Sequence, residues 1–344
     1  MEWRGAGSMQ TLALNIAGAV LMLAGVGLVA TTARGLIGYR EAASRHGGEV
    51  IELGANAQPQ AGQHGYMARL VGVPSVVEAP RDPDFNQQVS TPVLLRRVQM
   101  FQWREVRIGA SVHYEQDWVG HAVDSSRFED PRGHANPGKL PIHSQRFVAG
   151  LVQIGGFKLA PQLLRALPGS QRAPPDMASL PVNLAASFSL SGDYLVSSAN
   201  IDDPRLGDLR VSWEEVPLQQ VTIVGQLDGD RLVAAPQATD GKGYSVQVGD
   251  VSLLDIFPDL PLPPQWVTGS RILSVLLAAL GALALLFAKR RRLEPVLAIG
   301  LGALLVGTVA SVLWLGNDTS TLGGWLAVTV LGLLLAGWGL RRAR

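Results

Sequence analysis

The side chains able to do chemistry are few and scattered in this chain of 344 residues. Six histidines stand at His46, His64, His113, His121, His134 and His143. Zinc ligands on a helix recur at i,i+4. His113 and His121, eight apart, match neither that spacing nor a zinc motif, and all six read as turn or surface histidines. The adjacent carboxylates Glu129/Asp130, Asp202/Asp203 and Glu214/Glu215 carry oxygens suited to acid–base work or Ca²⁺, and read as solvated turns. There is no G-x-S-x-G elbow, no phosphate-binding loop and no H-E-x-x-H pair. With no cysteine, thiol catalysis and thiolate metal sites are excluded. One set, Asp117, Arg127, His134 and Asn136, would make a polar site if the fold gathered it in a groove. The expectation is a chain that is not an enzyme, with no catalytic residue, cofactor or metal. An enzyme of unknown reaction stays open, because a convergent site needs no local motif.

The elements that hold these groups follow from four long uncharged runs, at 12–33, 272–288, 295–315 and 322–340. Each is long enough to cross a hydrocarbon core as a helix, 272–288 only just. The first exceeds the 7–15 residues or so of a signal-peptide core and lacks a good A-x-A site, so it is expected to remain as a helix. Short loops rich in Lys and Arg stay cytoplasmic. Lys289, Arg290, Arg291 and Arg292 fill the 289–294 loop, Arg341, Arg342 and Arg344 the 341–344 tail, and Arg4 lies in segment 1–11. The 316–321 connection has no basic residue. Both termini are therefore expected in the cytoplasm, with 316–321 and the central domain, 41–265, outside. Arg34 and Arg40 oppose this and are outvoted.

Residues 41–265 hold 25 Asp/Glu against 18 Lys/Arg, or −7; the remainder holds 3 against 11, or +8, and the two sum to +1. An acidic central domain argues against nucleic acid as a partner. Basic flanks suit a lipid bilayer with anionic headgroups. Asn15 reads either as a contact to a partner helix or as a boundary residue. Ala278/Ala282 and Ala303/Gly307, at spacing four, would let helices approach closely.

The central domain reads as β structure, with short apolar runs at 93–100, 111–118, 183–190, 220–226 and 231–235 set off by Gly, Pro and Asp. Asp228-Gly229-Asp230 marks a hairpin. Segment 157–167 reads as a helix and 252–257 as a short one. Leu70-Val71-Gly72 echoes Ile223-Val224-Gly225. The expected fold class is an α+β membrane protein: one N-terminal and three C-terminal transmembrane helices around a mainly antiparallel-β domain of one or two small barrel-like or sandwich modules.

One ordered set of motifs stands out. LRRVQMFQWREVRIGASVHYEQDW fills 95–118, followed by Ser125-Ser126-Arg127-Phe128, Gly133-His134-Ala135-Asn136-Pro137, Val152-Gln153-Ile154-Gly155 and Gly207-Asp208-Leu209-Arg210-Val211-Ser212. This order resembles the LUMA family (transmembrane protein forty-three), with its R-x-V-x-M-[YF]-Q-W-x-E strand, Y-x-x-x-W strand, and S-x-x-F, G-H-x-N-P, V-Q-I-G and G-D-L-R-V-S elements. The family's one-plus-three spans also match. The positions carrying the resemblance are Gln102, Trp103, Glu105, Tyr114, Trp118, Phe128, His134, Asn136, Pro137, Gln153, Gly155, Gly207, Asp208 and Arg210. They read as structural: aromatics pack across strand pairs, Asn before Pro disfavours helix, and Gly155 and Gly207 suit unusual backbone angles.

The resemblance implies self-association and membrane organisation. Eukaryotic members look like inner-nuclear-membrane and endoplasmic-reticulum proteins that scaffold lamina-linked partners such as emerin, with no agreed catalytic residues. Abundant Ala and Gly, and little Lys beside Arg, suggest a GC-rich bacterial genome. The expected place is then the bacterial inner membrane with a periplasmic domain; in a eukaryote it would be one of those two membranes with a lumenal domain. The leading reading is a multipass scaffold, a homo-oligomer that organises unidentified envelope or membrane proteins. A channel or transporter is the alternative, disfavoured by spans with almost no polar groups.

Overall fold

The computed structural model describes residues 3–239, 241, 243–288 and 294–343. The basic segment 289–293 and Arg344, on which the expected orientation leans, lie outside the described residues. The helices are α1 (Trp3–Arg45), α2 (Pro161–Arg165), α3 (Val182–Ala185), α4 (Leu253–Ile256), α5 (Val267–Ala288), α6 (Pro295–Trp314) and α7 (Thr319–Ala343). The chain divides into two compact units, Met1–Ala43 with Pro258–Arg344, and Ser44–Phe257.

In the first unit α1, α5, α6 and α7 are long and apolar enough to cross a membrane. They meet along seams of small residues. A Cβ on Gly18 would come 2.8 Å from the Gly281 carbonyl oxygen, one on Gly302 2.5 Å from the Ala279 nitrogen, and one on Gly307 2.6 Å from Thr329 Oγ1. Ala278, Ala282 and Ala303 are buried. Hydroxyls inside the spans bond their own helix, Thr308 to Leu304 O at 2.7 Å and Ser311 to Gly307 O at 2.8 Å. These two hydroxyls are thus satisfied without water. Before α7, Asp318 accepts from Arg40 Nη1 at 2.9 Å, and the Arg40 guanidinium lies 5.4 Å from the Trp314 ring.

The strands of the second unit are β1 (Val50–Leu53), β2 (Met67–Gly72), β3 (Ser75–Glu78), β4 (Arg81–Asp82), β5 (Gln87–Gln88) and β6 (Val93–Ile108). Next come β7 (Ser111–Val119), β8 (Gln145–Val148), β9 (Leu151–Ile154), β10 (Phe157–Leu159), β11 (Gln171–Ala173) and β12 (Ser189–Ser191). The last five are β13 (Tyr194–Val196), β14 (Leu209–Glu215), β15 (Val221–Asp228), β16 (Arg231–Val233) and β17 (Ser245–Val248). An eight-stranded sheet runs β1-β2-β15-β16-β10-β9-β3, with β17 on β15. A seven-stranded sheet runs β12-β13-β14-β6-β7, with β11 on β14 and β8 on β6. A ribbon, β4-β5, completes the set. The pairings are antiparallel except β1–β2 and β10–β16. The fold class is therefore α+β, four apolar helices flanking a mainly antiparallel-β domain.

The turn between β15 and β16 is Gly229-Asp230, Gly229 at φ +63°, closing the expected hairpin. The echoing segments are neighbours: β2 and β15 run antiparallel with Leu70 opposite Ile223. Three local expectations are corrected. Segment 183–190 is the end of α3 and a turn, and becomes strand only at Ser189, because Leu184 packs the short apolar helix against the second core. Segment 157–167 begins as strand β10 and becomes helical only at Pro161, whose fixed φ suits a first helical turn. Glu214 and Glu215 lie in β14, not in a solvated turn, with Glu214 on Arg97 and Ser170 and Glu215 on Thr91 and Gln171.

Strand β6 serves two cores, because successive side chains point to opposite faces. Val93 and Leu95 join Leu70, Ile154, Phe157 and Ile223 under the larger sheet. Leu94, Val98 and Met100 join Phe85, Leu195 and Trp213 under the smaller one. Arg96, on this second face, is buried with Asp82: their atoms are 2.7 Å apart, Trp213 Nε1 donates to the same carboxylate at 3.0 Å, and Arg96 Nε donates to His143 O at 3.1 Å. Such a pair is held by its extra hydrogen bonds, and removing one partner costs about 3–5 kcal/mol.

Candidate functional site

Most of the motif residues gather on the β6–β7 hairpin and the chain that follows it. The antiparallel register sets Glu105 opposite Tyr114, Phe101 opposite Trp118 and Gln102 opposite Asp117. Beyond Val119 the chain returns over this ribbon with one 3-10 turn, Ser125–Arg127, before β8. Its backbone groups must find partners elsewhere, and side chains supply them.

Asn136 does most of this. Its Oδ1 accepts from Trp103 N–H at 2.7 Å, while Nδ2 donates to the carbonyls of Trp103 at 3.0 Å and Val123 at 3.2 Å. Gln102, fully buried, donates from Nε2 to His121 O at 2.7 Å and accepts Val123 N–H at 3.0 Å. Glu105 Oε2 accepts Glu129 N–H at 2.6 Å and the Tyr114 hydroxyl at 3.1 Å, and that hydroxyl accepts Asp130 N–H at 2.7 Å. The His134 ring stacks on Tyr114 at 3.8 Å and meets Trp103 edge-on at 4.8 Å. Its Nδ1 lies 2.9 Å from Asp130 O, an acceptor, which assigns the proton to Nδ1. Phe128 packs beside Tyr114, ring centres 5.7 Å apart.

A second group closes the far end. Gly207, at φ +96°, places its backbone 3.3 Å, at a notional Cβ, from Pro137, and its N–H donates to Phe101 O at 3.0 Å. Phe101 N–H donates to Asp208 O at 2.9 Å, and Asp208 Oδ2 accepts Arg205 N–H at 2.7 Å. The Arg210 guanidinium lies 5.0 Å from the rings of both Trp118 and Tyr194, with Nε on Gln99 Oε1 at 2.6 Å. Gln153 and Gly155 are not in this cluster. Gln153 sits in β9 opposite Lys158 and Ser75, and Gly155, at φ +58°, presses against the carbonyls of Ala55 and Ala57.

The electrostatics follow the bonds. The Glu129 N–H holds the Glu105 carboxyl below its ordinary value, helped by the Tyr114 hydroxyl and Arg107. Burial pushes the Tyr114 phenol up, and the Glu105 carboxylate adds to it. The set Asp117, Arg127, His134 and Asn136 is not used together. Asp117 pairs with Arg104 at 2.6 Å, and Arg127, largely exposed, pairs with Asp124 at 3.0 Å. Among the described residues no group of three His, Asp or Glu is placed to hold a metal ion. What this arrangement does chemically is brace a loop. The buried Asp82–Arg96–Trp213 set has a faint trace in the sequence: a charged residue on the face that carries Leu94, Val98 and Met100.

The family model described as Transmembrane protein 43 matches residues 100–315, the hairpin, its braced loop and two of the long helices. A transmembrane protein 43 homolog of Drosophila melanogaster is 29% identical over 216 residues, 58% of this chain and 56% of its own. Transmembrane protein 43 of Rattus norvegicus is 26% identical over 212 residues, 55% of this chain and 50% of its own. That of Homo sapiens is 24% identical over 215 residues, 56% and 53%. The chain spans about half the length of the curated relatives it matches. No solved structure matches it. With the family model covering well over half of the chain, and most of the motif residues holding one hairpin and loop together, this is a multipass membrane protein that belongs to the transmembrane protein 43 family.

Proposed function

We propose that this chain is a membrane scaffold that self-associates in the bilayer and organises membrane or envelope partners through an extracytoplasmic central domain. Asn15 carries the proposal. Its amide lies within the apolar stretch of α1, half-buried, and has no hydrogen-bond partner among the described residues. Leu12, Ile16 and Leu23 around it are exposed. An unpaired carboxamide in hydrocarbon is costly and is relieved by bonding across helices. Of the four spans α1 is the least covered by its own chain, which leaves a face for a second copy.

Two further features support a scaffold over a channel or an enzyme. The four uncharged runs bring no ionised side chain into the hydrocarbon, so they read as anchors. The motif residues are spent on bracing a loop, so no reaction is assigned. Arg40, which counted against an outside domain, is compensated by Asp318, leaving the basic clusters to set the direction. The proposed location is the bacterial inner membrane, with the domain periplasmic.

Chemical crosslinking and size measurement of the detergent-extracted protein test this. The wild type should crosslink to dimers or larger, and Asn15→Leu should lower that fraction severalfold with the melting of the central domain unchanged. A strictly monomeric wild type sinks the proposal.

A further inference from the structure

Helices α5, α6 and α7 border a groove of about 670 Å³, inside the range of roughly 300–1,000 Å³ found for small-molecule sites. Its walls, Val275, Ile299, Val328 and Leu335 among them, are apolar. On α7 the lining runs from Ser320 to Leu335, about 22 Å at 1.5 Å per residue. That is a little more than one leaflet of a hydrocarbon core about 30 Å thick.

One end of the groove is cationic. Arg271 lines it, its guanidinium 5.8 Å from the Trp325 ring and with no carboxylate in ion-pair distance among the described residues. Asp318, just before the lining residues Ser320 and Thr321, is already committed. It accepts from Thr321 Oγ1 at 2.6 Å, Ser320 Oγ at 2.8 Å, Ser320 N–H at 3.0 Å and Arg40 at 2.9 Å. Those donors, the Thr321 hydroxyl first, hold its carboxyl far below the ordinary range, so it stays an anion bound to Arg40. Arg271 thus sets a guanidinium outside any ion pair among the described residues at the mouth of an apolar slot.

We infer that this groove binds one anionic phospholipid, its phosphate on the Arg271 guanidinium and an acyl chain along α7. Charge complementarity selects the occupant: an apolar helix face alone accepts any lipid tail, whereas an uncompensated guanidinium at the headgroup level favours a headgroup with net negative charge. The inference rests on the spans lying in a bilayer and is independent of self-association; a monomer can satisfy it.

Native mass spectrometry of the detergent-extracted full chain, offered phosphatidylglycerol or phosphatidylcholine, tests it. The wild type should retain phosphatidylglycerol severalfold over phosphatidylcholine. Arg271→Gln should abolish that preference, and Arg271→Lys should keep part of it. Val328→Trp, which fills the slot without touching the charge, should lower retention of both lipids. Thermal unfolding of each variant separates lost binding from lost fold. Equal phosphatidylglycerol retention by the wild type and a folded Arg271→Gln overturns the inference. So does competition by soluble glycerol phosphate as strong as by the intact lipid, which would mark a headgroup site with no acyl slot.

Discussion

Asn136 and Gln102 do for their loop what a neighbouring strand does for another strand: they complete backbone donors and acceptors one by one. Glu105 adds a charge-assisted version of the same bond, which makes the loop sensitive to pH. Its carboxylate gains the Glu129 N–H and the Tyr114 hydroxyl only in the folded chain, so its folded pKa lies below the unfolded one. That stabilisation is complete above the unfolded pKa, fades as pH falls between the two values, and is absent below the folded one. Glu105→Gln should therefore melt below the wild type at neutral pH, with the gap closing as pH falls through the carboxylate range. Thermal unfolding of the extracted protein across that range checks it, and a gap independent of pH would refute it. These residue types were legible because their order along the chain is distinctive. That Asn136 bonds Trp103 was not, since it depends on how a loop folds back over a hairpin.

Between elements, the spans are held by close backbone approach, which magnifies small changes in volume. Gly307→Leu must displace Thr329 on α7, and overpacking of this kind costs about 1–3 kcal/mol. Gly323→Leu on the same bundle meets open space and serves as the control. A lowered unfolding temperature for the first and not the second is the expected pattern. The four helices were readable from uninterrupted apolar length, a signal that owes nothing to tertiary context. Small-residue pairs at 278/282 and 303/307 were visible too, but the partner of each was not, because spacing along one helix says nothing about the helix it faces. In the β domain the limits are different. The apolar run of β6 stops at Met100 and its strand motif at Glu105, where polar residues take over, although pairing with β7 carries the strand to Ile108. Residues 183–190 match a strand in apolar content and fold as α3 and the start of β12, because burial against the second core decided it.

For the whole molecule the open question is direction. If the basic clusters face the cytoplasm, protease added to intact cells or spheroplasts should cut within 41–265 and leave a tag after Arg344 intact. Loss of the tag would reverse the orientation and every reading that depends on it. Within the central unit another consequence follows from β6. Its odd positions hold up one core and its even positions the other, so the strand cannot slip by a residue or fray without exposing both. The two sheets are thus coupled through one strand, and the unit should melt in a single cooperative transition in which near-ultraviolet and far-ultraviolet signals are lost together.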